Sequence, residues 1–333
     1  RDARLALALY RRAGVLWREG VPDGNPWGLR FMAMFHMAND SSLFRTRGEL
    51  AQASWRLEGN RFVKDTQVML PLYEAKMAYI YTHRSGTYEA AAAGERPHRL
   101  PTPTDEQLSD PRYAPLPFYW VAERDVNEKL DGTWDRKWLL GWRDVTDARA
   151  SVRTVVSMIV PRVGVGHKMP LAMPSVESAT AACFAANLSS FALDYASRQK
   201  VGGLSLTYFI MKQLPLLSPT AYAASAAWDL AATRRDWMLP RILELTYTAW
   251  DLLPFARDCG DDGPPYIWAP ERRFVLQAEL DAAFFHLYGI SRDDAEYILG
   301  TFDVLERADV RQHGEYRTKR VVLERYDALA AAM

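Results

Sequence analysis

The chain has very little cysteine. Cys183 and Cys259 are its only two in 333 residues, and they lie far apart. That spacing offers no disulfide framework and no cysteine-based metal site, and it fits a reducing compartment. Long apolar runs are also missing. No stretch approaches the roughly 18 residues of a membrane span. The opening residues lack the apolar core of a signal peptide, so the expected location is cytoplasmic, with no membrane partner. Net charge is absent too: 41 basic residues balance 41 acidic ones. A strongly basic chain would be the usual footprint of a nucleic-acid binder, so such binding requires charge segregation.

Recurrent catalytic signatures are equally scarce. The six histidines form no paired metal spacing. No phosphate-binding P-loop occurs. The stretch Gly203-Leu204-Ser205-Leu206 lacks the second glycine of a nucleophile elbow. Asp258, Asp261 and Asp262 do not alternate as calcium ligands do, and read as a solvated loop.

What is present is apolar bulk. Hydrophobic residues make up 49% of the chain, with eleven Trp and sixteen Tyr, enough for a sizeable aromatic core. Charge is locally segregated: from Trp134 to Pro215 there are ten basic residues against five acidic ones. The expectation is a positive face that carries Arg149, Arg153, Lys168 and Lys200.

The pattern predicts an α+β fold. A helix is expected over residues 1–20, then a turn at Pro22–Pro26, an apolar run Phe31–Met37 and a helix Arg47–Ala53. WRLEGNRFV, Trp55 to Val63, reads as a hairpin around Gly59-Asn60. Residues 90–117 read as a proline-rich loop. Strands are expected at Phe118–Glu123, Lys137–Asp144 and Val155–Pro161, with a short helix at Asp147–Val152. Ser175–Ala196 reads as one helix capped by Ser175. Gly202-Gly203 is expected to end the helical stretch, with an aromatic strand after it. Helices follow at Ala221–Ala232, Arg241–Trp250, Glu271–Tyr288, Arg292–Leu299 (capped by Ser291) and Tyr316–Ala332.

The stretch NLSSFALDYASRQKVGGLSLTYFIMKQLPLLSP, Asn187 to Pro219, resembles the target-recognition region of type IIG N6-adenine DNA methyltransferases. Methylases of the DISARM and BREX phage-defence systems belong to the same broad group. Type I specificity subunits end their recognition domains in a similar way. Further likeness lies in NPWGLRFMAMFHMANDSSLF, WRLEGNRFV, PLYEAKM with His83-Arg84, WRDVTDARASVRTVVSMIVP and the tail from Phe285 to Leu329. These cover most of the chain apart from the proline loop.

The resemblance implies three parts. Residues 1–54 would be a helical joint to a methyltransferase domain, 55–219 a mixed-strand target-recognition domain, and 220–333 a helical C-terminal domain. It implies sequence-specific binding of double-stranded DNA, placing a target adenine for that methyltransferase domain in cis or in trans. S-adenosylmethionine would belong to the parent enzyme, with no cofactor in this chain. Base methylation needs a Gly-rich cofactor loop and an Asn/Asp-Pro-Pro-aromatic motif. Asn25-Pro26-Trp27-Gly28 lacks the second proline, so no catalytic residue is assigned and the chain alone is expected to transfer no methyl group. It begins at Arg1 rather than Met, and a fragment or processed chain is expected. The alternative is a protein-interaction module that docks the methylase to other defence subunits.

Candidate DNA contacts are named on that basis. Lys76 reads as a phosphate contact or a surface ion pair. His83 and Arg84 read as DNA contacts, with a hydrogen-bonded structural histidine as the other reading of His83. Arg149 and Arg153 are four apart, on one face if helical, for phosphate contact or guanine readout; the other reading pairs them with Asp144 and Asp147. Arg162, His167 and Lys168 lie in a glycine loop suited to phosphates. Arg198 and Lys200 precede Gly202 and Gly203, whose lack of side chains lets a backbone approach DNA.

Overall fold

The computed structural model describes residues 1–90, 95–97, 99–148 and 150–333. The fold is α+β, with antiparallel sheets and helices in both terminal regions. Two sheets organise the first half. One has the strand order Arg30–Met32, Leu171–Met173, Trp138–Trp142, Ser157–Pro161, all antiparallel. The strands Trp138–Trp142 and Ser157–Pro161 are buried at every position, as expected of strands covered on both faces.

The second sheet runs Arg45–Thr46, Tyr119–Ala122, Gln67–Tyr73, Arg61–Lys64, Arg56–Glu58. The expected hairpin is its last pair, with Gly59 at φ 60 in the turn. The short strand Gly164–Val165 adds in parallel to Gln67–Tyr73. The chain thus leaves the first sheet at Pro161 and joins the second three residues later. Gly164 makes this crossing possible: a Cβ there would lie 2.5 Å from Cγ1 of Val121.

Helices cover the rest. Ser178–Leu188 is almost wholly buried and packs on Ser157–Pro161 and on the helix Arg234–Thr246. Pro270–Leu287 is the central helix of the second half, against Arg317–Ala331, Arg234–Thr246 and Phe191–Arg198. Arg292–Leu299 begins at Ser291, whose Oγ accepts from the Asp294 amide at 3.3 Å.

The three expected stretches share one core. One large cluster of buried side chains runs from Leu5 to Tyr326, and a smaller one, Leu50, Phe62, Met69 and Trp120, lies at the second sheet. Strand Arg30–Met32 sits in the sheet of the middle stretch, so residues 1–54 are not simply helical. Asp2 accepts from Tyr195 at 2.6 Å and Tyr297 at 2.9 Å, and ties the first helix to the last third of the chain.

Several local expectations fail for identifiable reasons. The helix expected over Ser175–Ala196 is two, Ser178–Leu188 and Phe191–Arg198. Ser189 Oγ donates to the Ala185 carbonyl, Ser190 Oγ caps Leu193 N–H, and Asp281 Oδ1 accepts from Phe191 N–H. Polar side chains there take over the backbone groups that would continue the helix. Its end is Gln199 in right-handed geometry, so Gly202-Gly203 is not the cap. The expected aromatic strand is the helix Tyr208–Lys212, started by Thr207. Ala221–Ala232 holds a single helical turn, Thr220–Ala223, and a hairpin, Ser225–Ala226 with Asp229–Thr233. Asp147–Val152 forms no helix among the described residues. The proline loop contains a helix, Asp105–Ser109, closed by a Thr104–Gln107 capping box.

Asp281 carries a testable consequence. Burial pushes its carboxyl from an ordinary value near 3.8 up to about 6, although Arg153 and the Phe191 N–H pull the other way. A carboxyl with a raised folded pKa binds its proton more tightly folded than unfolded. Stability is therefore lost as pH rises from about 4 to about 6, and the loss persists above that. Asp281→Asn keeps an acceptor for Phe191 N–H. It should stabilise the fold by about 1–2 kcal/mol at pH 7.5 and by little near pH 4. Urea denaturation of both forms at the two pH values tests this. An equal effect at both pH values would contradict it.

Candidate nucleic-acid interface

A cleft of about 1060 Å³ opens where the two sheets meet. Three backbone features build its walls. The turn Ala75–Met77 follows the strand Gln67–Tyr73. The segment Gly166–Lys168 follows the parallel strand, with Gly166 N–H on the Tyr73 carbonyl at 2.9 Å. Arg143 leaves the end of Trp138–Trp142. Proline-loop residues Arg96, Arg99 and Leu100 close one side.

The lining is strongly basic. Among the described residues, Lys76, Arg96, Arg99, Arg143 and Lys168 face a single lining carboxylate, Glu74. Glu74 is shared: Arg96 lies 3.1 Å away, Lys76 3.6 Å, and the Tyr88 hydroxyl donates at 2.7 Å. Lys76 Nζ also donates to the Pro97 carbonyl at 2.8 Å. Lys168 pairs with Asp144 at 2.7 Å. Arg99 has no partner among the described residues. Two carboxylates thus serve five cations, and a surplus of positive charge remains in a concave site, where such fields are focused.

His167 sits at the rim, stacked on His36 with ring centroids 5.0 Å apart. Burial lowers its pKa, helped by His36 and Lys168. The ring therefore holds its proton less readily than a free imidazole.

Of the twelve residues proposed from sequence, Lys76, His167 and Lys168 converge here. Gly202 and Gly203 lie close by, because Thr146 N–H bonds the Leu204 carbonyl and Leu206 N–H bonds the Asp144 carbonyl. That pairing lays the glycine loop beside Val145 on the cleft rim. A Cβ on either glycine would meet nothing within 4 Å, so the protein itself does not demand glycine there. Lys200 is exposed, 5.6 Å over the Tyr10 ring.

Four others are structural, which corrects the expectation for Arg84, Arg153 and Arg198 and matches the second reading of His83. His83 is buried, with Nε2 2.9 Å from Asp251. Arg84 is fully buried, and both of its terminal nitrogens donate to main-chain carbonyls. Arg153 and Arg198 both clamp the buried Asp194. Arg153 thus pairs with Asp194, while Asp144 pairs with Lys168, and both arginine side chains are largely withdrawn from solvent. The expected positive face therefore loses Arg153, and Arg149 lies outside the described residues.

Arg162 belongs to a different cleft, of about 1480 Å³. Its guanidinium is held by the Trp134 and Arg136 carbonyls and by Asn127. Four cations there meet five carboxylates, Glu128, Asp131, Asp135, Glu177 and Asp258. That balance does not suit a polyanion, so Arg162 does not join the phosphate site expected for it.

Sequence reasoning missed Arg96, Arg99, Arg143 and Tyr79 as cleft residues. The signal available was the interleaving of basic residues and prolines in residues 95–101. Neither thiol offers a nucleophile: burial pushes Cys183 up strongly and Cys259 to about 12. No described helix is long and apolar enough to cross a membrane. Comparisons with known proteins give no matching family model, no matching curated protein and no matching solved structure.

Proposed function

We propose that this chain recognises double-stranded DNA and positions a target adenine for an S-adenosylmethionine-dependent methyltransferase domain, in cis or in trans, within restriction-modification or phage defence. The observation that carries the DNA part is the convergence of Lys76, Arg96, Arg99, Arg143 and Lys168 on one cleft. Phosphates are the natural counter-ions for such a surplus. The methyltransferase context comes from the sequence resemblance, and the cofactor is assigned to that other domain.

The test is a titration of fluorescent duplexes at about 50 and 200 mM salt. Arg99→Ala and Lys168→Ala should each weaken binding to all sequences alike and lower the salt slope by roughly one. Arg162→Ala should leave the slope unchanged. Silence of both cleft variants would count against DNA in this cleft. It would favour the docking of protein subunits, to which the exposed Leu204, bonded to Thr146 at the cleft rim, is suited.

A further inference from the structure

Arg143 differs from the other cations of the cleft. Its Nη2 donates to the carbonyls of Ala75 at 3.3 Å and Ala78 at 3.0 Å. No carboxylate pairs with it among the described residues, and burial lowers its pKa. Nη1 has no protein partner among them, and Nε is buried without one. A half-buried guanidinium without a counter-ion is costly. It is also pre-oriented, since two carbonyls fix its plane. An incoming anion would form charge-assisted hydrogen bonds that the fold leaves unmade.

The surroundings specify more than a bare anion. The Tyr79 ring lies 5.6 Å from the Arg143 guanidinium carbon. Met37, Leu100 and Val145 add apolar wall. Arg99 supplies a second cation with no internal partner. An aromatic ring and two cations without carboxylate partners among the described residues, in one cleft, match a molecule that joins a planar ring to a phosphate. The volume, about 1060 Å³, is at the upper end for small-ligand sites and exceeds what inorganic phosphate needs.

We propose that this cleft binds a single 5′-phosphorylated nucleotide, with its phosphate at Arg143 and Arg99 and its base against Tyr79. The nucleotide is either free or an unstacked unit of a DNA strand. The second source rests on the DNA reading above; the first does not. Base stacking on an aromatic ring tolerates any base, so purine and pyrimidine nucleotides both serve as probes.

The experiment is calorimetric titration of the chain with AMP, CMP, adenosine and inorganic phosphate. AMP and CMP should saturate, with adenosine and phosphate each at least about tenfold weaker, as expected when one of two recognition elements is lost. Arg143→Met should cost roughly tenfold or more for both nucleotides. Arg143 also ties down Ala75 and Ala78, so that variant can lose fold. Arg99→Ala cannot lose it in that way, and should weaken both nucleotides by roughly tenfold with unchanged thermal melting. Tyr79→Leu should abolish the preference of nucleotide over phosphate. Competition by a duplex with one unpaired nucleotide, but not by a fully paired one, would identify the DNA strand as the source. Nucleotide binding with no duplex binding at any salt would support this inference and defeat the DNA reading. Duplex binding with no nucleotide binding, or with Arg143→Met and Arg99→Ala both silent toward nucleotides, would overturn this inference and leave the DNA reading standing.

Discussion

Replacing Asp194 with Ala should destabilise the fold by about 3–5 kcal/mol, the cost of stripping one partner from a buried ion cluster. The side chain is fully buried between two guanidinium groups. Oδ2 accepts from Arg153 Nε at 2.9 Å and from the amides of Thr154 at 2.9 Å and Val155 at 3.3 Å. Oδ1 accepts from Arg198 Nε at 3.1 Å. Arg153 also donates to the Ser189 carbonyl and lies 4.1 Å over the Phe191 ring. Arg198 lies 3.9 Å over Phe302 and reaches the carbonyls of Val152 and Thr301.

Removal of the carboxylate leaves two partly desolvated cations and two backbone N–H groups without an acceptor. The cluster joins the segment 151–155, the helix Phe191–Arg198 and the turn at Thr301, so its loss loosens all three. Chemical denaturation followed by circular dichroism measures the effect. Asp194→Asn, which keeps one acceptor oxygen, should fall between wild type and Ala. In a background of Arg153→Met and Arg198→Met the cost of Asp194→Ala should shrink, because no stranded cation remains. A loss below about 1 kcal/mol in the wild-type background would mean that the cluster behaves like a surface pair.

The second large effect is expected at Arg84. Its Nη2 donates to the Leu108 carbonyl at 2.8 Å and to Thr248, carbonyl and hydroxyl, at 3.0 Å each. Nη1 donates to the carbonyls of Asp110 at 3.0 Å and Tyr113 at 3.3 Å. One side chain thus satisfies four main-chain carbonyls from two distant segments, 108–113 and 248. Arg84→Ala should cost about 3–5 kcal/mol, from orphaned carbonyls and from the void. Arg84→Met fills most of the volume but donates nothing, so it separates the two terms. Amide exchange in residues 108–113 should quicken in both variants. Unchanged protection in that segment would show that the loop holds itself in place.

The cleft and the core draw on the same residue type, arginine, and this is why the sequence reading set buried arginines among the candidate contacts. Arg84, Arg153 and Arg198 looked like surface cations, because burial of charge is the exception. For two of them the partner is remote, Thr248 for Arg84 and Asp194 for Arg153, whereas Arg198 pairs with Asp194 only four positions away. No local pattern announces a pairing across 164 or 41 positions. Arg96 and Arg99 had the reverse fate. They sat in a segment read only as proline-rich, and the fold brings them beside Lys76 and Lys168.

What the sequence determined alone is local. The hairpin at Gly59 and the helix that starts at Ser291 follow from turn chemistry and capping, each settled within a few residues. The long helix Pro270–Leu287 and the last helix, Arg317–Ala331, also lie where the helical pattern of the chain puts them. Tertiary structure decided the break at Ser189-Ser190, where Asp281 from a distant helix takes the Phe191 amide. It also turned the expected aromatic strand into the helix Tyr208–Lys212, whose Tyr208 stacks on Phe31 at 5.3 Å. It chose, finally, which cations face solvent. That choice depends on the desolvation of each charge against partners far along the chain, an energy that exists only once the sheets and helices have met.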